Sequence, residues 1–126
     1  MSERPLSPHL QVYRLPVTAL VSITHRITGV VLSIGLVPWV MFLMAVAQGG
    51  TQYDTAQAIL NSFLGRLVLW GWIYALVFHL CHGVRHLIWD TAHGLDRDTL
   101  DYYSYAELTA TVVLTFALMI AAWISG

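Results

Sequence analysis

Charged side chains are absent from three stretches of the chain, residues 27–53, 67–84 and 108–126. All three are strongly apolar. A bilayer core about 30 Å thick takes roughly 20 mostly apolar residues as helix, so each stretch predicts a membrane span. From Pro16, a suitable first helical residue, the pattern runs as helix to about residue 47. Its ~32 residues extend roughly 48 Å at 1.5 Å each, more than the bilayer core. Residues 17–26 are therefore expected at the membrane surface or against a partner, and 27–47 across the membrane. Pro38 should kink this helix. Gln48-Gly49-Gly50-Thr51 breaks the pattern. Ala56, Ile59, Leu60 and Phe63 then recur at helical spacing, as in a short surface helix. The second span is expected over residues 64–89, followed by a polar loop at 95–101. Ser104 and Glu107 have capping-box spacing and are expected to open a third span, residues 105–124. Tyr102, Tyr103 and Tyr105 would sit at one interface and Trp123 near the other, as aromatic belts do. The fold expected is an all-α membrane protein of three transmembrane helices. It reads as one domain over residues 1–126, with an interfacial N-terminal segment whose residues 1–16 are cytoplasmic and kept out of helix by Pro5, Pro8 and Pro16.

Composition narrows the class. Charged residues make up 10% of the chain, against roughly 25% in soluble domains. That excludes a disordered chain, a disulfide-stapled module and a two-domain enzyme, and leaves little sequence outside the membrane for a catalytic domain. The net charge of −1 and the lack of a basic stripe exclude a nucleic-acid partner. Cys81 is the only cysteine and reads as an apolar packing residue. The N-terminal stretch lacks the apolar run of a cleavable signal peptide. With three spans, Arg4, Arg14, Arg26, Arg85 and Arg97 share one side and only Arg66 lies on the other. The positive-inside rule then puts the N-terminus in the cytoplasm and the C-terminus outside.

Ionisable residues on a span are costly and mark candidate function. Two clusters qualify. Ser22, Arg26, Gly29 and Ser33 fall in one narrow stripe at 100° per residue, with His25 beside it. His79, Gly83, His86 and Asp90, spaced 4, 3 and 4, share one face of the second span. His79 lies about seven residues inside that span's end, roughly 10 Å deep. A neutral imidazole there suits either an interhelical hydrogen bond or axial ligation of haem iron. Gly83 would leave room for a flat macrocycle against the helix, and Arg85 and His86 could meet its propionates. His79 and His86 project from one side of one helix, so a second axial ligand would come from elsewhere, most simply another chain. His82 reads as a packing residue or an interhelical bond. With His86 it supplies too few ligands for a closed metal site. Asp90 has Arg85 or Arg97 as ion-pair candidates. His9 and His93 read as surface residues.

At these residues the sequence resembles the cytochrome b membrane-anchor subunit of succinate dehydrogenase, respiratory complex II. Two motifs carry the resemblance: RPLSPHLQVYR, from Arg4 to Arg14, followed by SITHRITG, from Ser22 to Gly29; and HLCHGVRHLIWD, from His79 to Asp90. The family pattern is Arg-Pro and then Ser-x-x-His-Arg-x-Ser/Thr-Gly. Its second part is His, three residues, Gly, an apolar residue, Arg-His, and Asp four residues on. Both parts match at every defining position, and span layout and length match as well.

The resemblance implies roles position by position. His79 stands where the family supplies one axial ligand of haem b, the other coming from a second, smaller anchor subunit. Ser22 and Arg26 stand where the family contacts ubiquinone, with Ile23 as apolar wall. His25 and Arg26 lie at a haem propionate, and Arg85 and His86 match further haem-edge positions. His82 is not a defining position and has no implied role. The implied function is that of an anchor in a succinate:ubiquinone oxidoreductase of the bacterial cytoplasmic (inner) membrane. The chain would hold haem b with its partner anchor, help form the ubiquinone-reduction site and dock the iron–sulfur subunit. A flavoprotein subunit would oxidise succinate, so the chain would be part of an enzyme and not an enzyme alone. The alternatives are a quinol:fumarate reductase anchor and a non-enzymatic membrane module binding haem or a metal.

Overall fold

The computed structural model describes residues 14–125, apart from the side chain of Arg97. The Arg4-Pro5 part of the first motif and His9 lie outside the described residues. Four helices follow in order: α1, Val17–Gln48; α2, Gly50–Asn61; α3, Phe63–Asp90; and α4, Arg97–Ser125. There is no strand among the described residues. α1, α3 and α4 are long and apolar enough to cross a membrane, as the uncharged runs require. α3 packs against both α1 and α4, α1 also touches α4, and α2 rests on α1 and α3.

Local chemistry sets the element ends. Pro16 stands immediately before α1 in extended conformation, and its carbonyl accepts the N–H groups of Ala19 and Leu20. Pro38 lies inside α1. Between α1 and α2 the backbone turns through Gly49 and Gly50 at φ of +67° and +55°, conformations in which a Cβ would be strained. The expected short helix is α2, with Ala56 and Leu60 half-buried; Phe63 belongs to α3 and is exposed. Ser62 caps α3, its hydroxyl accepting the Gly65 N–H at 3.0 Å, a bond typical of N-caps.

The start of α4 differs from expectation. The helix begins at Arg97, so Ser104 and Glu107 lie well inside it. Asp96 does the capping: its carboxylate accepts the Thr99 backbone N–H at 3.1 Å and the Thr99 hydroxyl. Those two bonds hold the Asp96 carboxyl below the usual carboxylate range. The Ser104 hydroxyl donates instead to its own helix, to the Leu100 carbonyl at 2.9 Å. The Ser-x-x-Glu spacing is therefore shared with a capping box but serves a buried stripe.

That stripe dominates the interior. Buried apolar side chains are Val21, Ala75, Val77 and Phe78, whereas Ser104, Glu107, Thr111 and Thr115 of α4 are all buried. Thr111 and Thr115 donate to carbonyls four residues back, at 2.9 and 2.8 Å. Small hydroxyl residues let membrane helices approach closely without leaving polar groups unpaired. Most large apolar side chains point outward, the inverse of a water-soluble core. α1 and α3 also approach closely at Gly35, where an added Cβ would land on the indole of Trp72.

Candidate functional site

The histidines gather where the early turns of α1 meet the late turns of α3. The His25 ring stacks on His79 with centroids 3.9 Å apart and planes 19° apart. It lies 4.3 Å from the His82 ring and 5.8 Å from that of His86. One ring nitrogen each from His25, His82 and His86 falls within 4.8 Å of the others. His25 is half-buried, His82 buried and His86 exposed. His25 of α1 thus lies against His79, His82 and His86 of α3.

His79 is oriented by Thr28. The Thr28 hydroxyl donates to the His25 carbonyl at 2.9 Å and lies 3.3 Å from His79 Nδ1. A hydroxyl has one proton, so the hydrogen-bond network assigns the shared proton to His79 Nδ1–H, with Thr28 accepting. His79 Nε2 is then the free lone pair. Ligating histidines are usually fixed in this way, one nitrogen held and the other presented. Gly29 is needed beside it, since a Cβ there would stand 3.2 Å from His79 Cε1. At Gly83 an added Cβ would meet nothing within 4 Å. Nothing in the described chain therefore requires a glycine at that position.

His82 bridges the helices. Its ring faces His25 of α1, and its Nδ1 lies 2.8 Å from the Glu107 carboxylate of α4. Glu107 also accepts from Arg85 at 3.1 Å. All three side chains are buried. The interhelical bond expected of His82 is present. With Nδ1–H donated to Glu107, His82 Nε2 is buried without a hydrogen-bond partner among the described residues.

Arg85 corrects another expectation. It pairs with Glu107 rather than Asp90, donates to the Leu100 carbonyl at 3.2 Å and lies over the Trp89 ring at 4.5 Å. It faces α4, where Glu107 and the Leu100 carbonyl hold its guanidinium. Glu107 is the functional candidate that sequence reasoning missed. The signal was the 3-4-4 spacing of Ser104, Glu107, Thr111 and Thr115 within an apolar span.

The first stripe lies beside the α1–α3 seam. Ser22 and Gly29 are half-buried, while Ile23, Arg26 and Ser33 are exposed. The Ser33 hydroxyl donates to the Gly29 carbonyl of its own helix at 2.8 Å. Ser22, Ile23 and Arg26 thus form an outward-facing rim next to the histidines.

Comparison with known proteins places the chain in one family. Residues 1–122 match the family described as succinate dehydrogenase/fumarate reductase transmembrane subunit. The chain is similar to the succinate dehydrogenase cytochrome b556 subunit of Paracoccus denitrificans, 41% identical over 117 residues, covering 93% of this chain and 90% of that protein. It is 30% identical over 121 residues to the Rickettsia felis protein of the same name, covering 94% and 93%. Similarity extends to the mitochondrial succinate dehydrogenase cytochrome b560 subunit of Sus scrofa, 33% identical over 121 residues, covering 93% and 70%.

Proposed function

The chain belongs to the succinate dehydrogenase/fumarate reductase transmembrane subunit family, and from that membership, as a multi-pass inner-membrane subunit of complex II, we propose that it binds haem b and helps form a ubiquinone-reduction site. The observation that carries the reading is His79. Its Nδ1 lies 3.3 Å from the Thr28 hydroxyl, which leaves Nε2 for iron, and Gly83 four residues on has open space around it. The residues fit the group: an oriented imidazole suits iron, and His25, Arg26 and His86 supply donors for propionates.

Haem bound there supplies one-electron transfer between the iron–sulfur subunit and the quinone. The protein's part is orientation and electrostatics. His79 would hold the haem iron, and a second ligand would come from the partner anchor subunit. His25 and His86 would supply donors toward the haem propionates. Arg85 would stand near the haem edge, with its guanidinium committed to Glu107 and its charge compensated there. At the rim, the Ser22 hydroxyl donates to a quinone carbonyl. Arg26 stabilises the negative charge that develops on reduction, and Ile23 supplies apolar wall. The exposure of Ile23 and Arg26 suits a pocket completed by other subunits, with residues 17–26 as the docking segment for the iron–sulfur protein. The flavoprotein subunit oxidises succinate, and the N-terminus lies in the cytoplasm.

The visible spectrum of the detergent-purified complex tests the ligand. His79→Ala should abolish the b-type absorbance, and an unchanged spectrum would sink the assignment. Ser22→Ala and Arg26→Ala should impair quinone reduction with haem retained; intact activity and quinone affinity would remove the quinone site from this rim. A second reading rests on the three ring nitrogens of His25, His82 and His86, which are spaced to hold one divalent cation. Metal analysis of the haem-loaded complex separates the two.

A further inference from the structure

The buried Glu107–His82–Arg85 group belongs to no motif as a unit. Arg85 and Glu107 are opposite charges 3.1 Å apart, each 5% exposed or less. Burying such a pair is seldom a gain in stability over apolar residues of the same size. Its placement is more telling. His82 is one turn from His79 on α3, and Arg85 is six residues on, roughly 9 Å along the axis. Glu107 holds both from the opposite helix, through His82 Nδ1 at 2.8 Å and the Arg85 guanidinium. The ring it fixes lies 4.3 Å from His25, which stacks on His79.

We propose that Glu107 is a positioning residue of the haem site: it locks His82 and Arg85 behind the ligand face of α3, and its charge balances that of Arg85 so that neither biases the haem potential. This rests on the haem reading above. While the pair is intact its two charges nearly cancel at the haem. Removing either leaves one uncompensated charge within about two turns of the ligand. At an effective dielectric near 20, a unit charge ~10 Å away shifts a one-electron equilibrium on the order of tenfold. Tenfold corresponds to 59 mV for one electron. Ferric haem carries one more positive charge than ferrous haem. Losing the Glu107 carboxylate therefore raises the potential, and losing the Arg85 guanidinium lowers it.

The test is a redox titration of haem in the intact purified complex, with haem content read from the same spectra. Glu107→Gln keeps an acceptor for His82 and removes the charge; its midpoint should rise by about 59 mV. Arg85→Gln should lower it by a similar amount, and the Glu107→Gln/Arg85→Gln double variant should return near wild type. Should Glu107→Gln alone fail to assemble, the Arg85→Gln and double variants carry the same comparison. A merely structural role would change haem content or melting temperature without opposite, cancelling shifts. Haem-replete variants with unchanged midpoints, or both shifted in one direction, would overturn the proposal. A wild-type complex without b-type haem, or a spectrum untouched by His79→Ala, would instead overturn the haem reading itself.

Discussion

Gly35 and Gly83 lie on neighbouring helices, and the same substitution should have opposite consequences at the two. Glycine inside a helix costs roughly 0.5–1 kcal/mol relative to alanine, so either Gly→Ala change begins with that gain. At Gly83 an added Cβ meets nothing within 4 Å, and the polypeptide should keep the whole gain. If Gly83 is glycine because a flat macrocycle lies against it, Gly83→Ala should lower haem content while leaving the protein fold as stable or more so. At Gly35 the added Cβ lands on the Trp72 indole. Trp72 cannot easily step aside, since its ring stacks on Trp39 with centroids 6.2 Å apart. Overpacking of this kind costs typically 1–3 kcal/mol, which exceeds the gain, and the steric conflict favours the upper end. Gly35→Ala should therefore destabilise by up to about 2 kcal/mol net and retain haem in whatever fraction folds. The assay is the haem-to-protein ratio together with apparent melting temperature at one fixed scan rate. A Gly83→Ala complex with full haem and an unchanged spectrum would refute the cradle. A Gly35→Ala complex that melts at or above wild type would refute the close approach of α1 and α3.

Ser62→Ala removes the cap of α3 and should cost about 1 kcal/mol, seen as a lower melting temperature with normal haem. Asp96 titrates low because Thr99 bonds its ionised form. That stabilisation is complete above the ordinary aspartate pKa near 3.9 and is lost as pH falls through the lower folded value. Thr99→Ala should therefore flatten the acid limb of stability below about pH 4 and change little at pH 7; an unaltered acid limb would disprove the linkage. A reporter fused after Gly126 should be active outside the cytoplasm, and a cytoplasmic signal there would reverse the orientation drawn from the arginines.

The three spans were legible because lipid imposes a simple rule, length without charge, and residues 27–53, 67–84 and 108–126 obey it. The face of α3 that carries His79 and His86 was legible for a similar reason, since spacings of 4, 3 and 4 fix one side of a helix whatever surrounds it. Pairings across helices were not. Nearness in sequence made Asp90 a candidate partner for Arg85, but the relative rotation of α3 and α4 turns it to Glu107. Glu107 itself was concealed by Ser104, three residues earlier, because the same spacing describes a helix cap and a helix face. The true cap, Asp96, lay in what read as loop. His25 was legible as a motif residue, yet its stacking on His79 depends on how α1 crosses α3, which no single segment encodes.

The α4 stripe contains three hydroxyls and one carboxylate, and they differ in what each needs from neighbouring segments. Ser104, Thr111 and Thr115 are satisfied by carbonyls of their own helix and can enter the bilayer unaided. Glu107 lies ten residues into α4, about 15 Å along its axis, and its partners are on α3. A lone ionised side chain costs roughly 2.5–3.5 kcal/mol on insertion at the centre of a span and less near its edge, where Glu107 lies, two residues into the expected span 105–124. Arg85 and His82 leave the ribosome first and Glu107 follows. The energetic unit that partitions into the membrane is therefore the α3–α4 hairpin: biogenesis must deliver the two helices together, and a chain halted between them is left with an arginine that has no counter-ion.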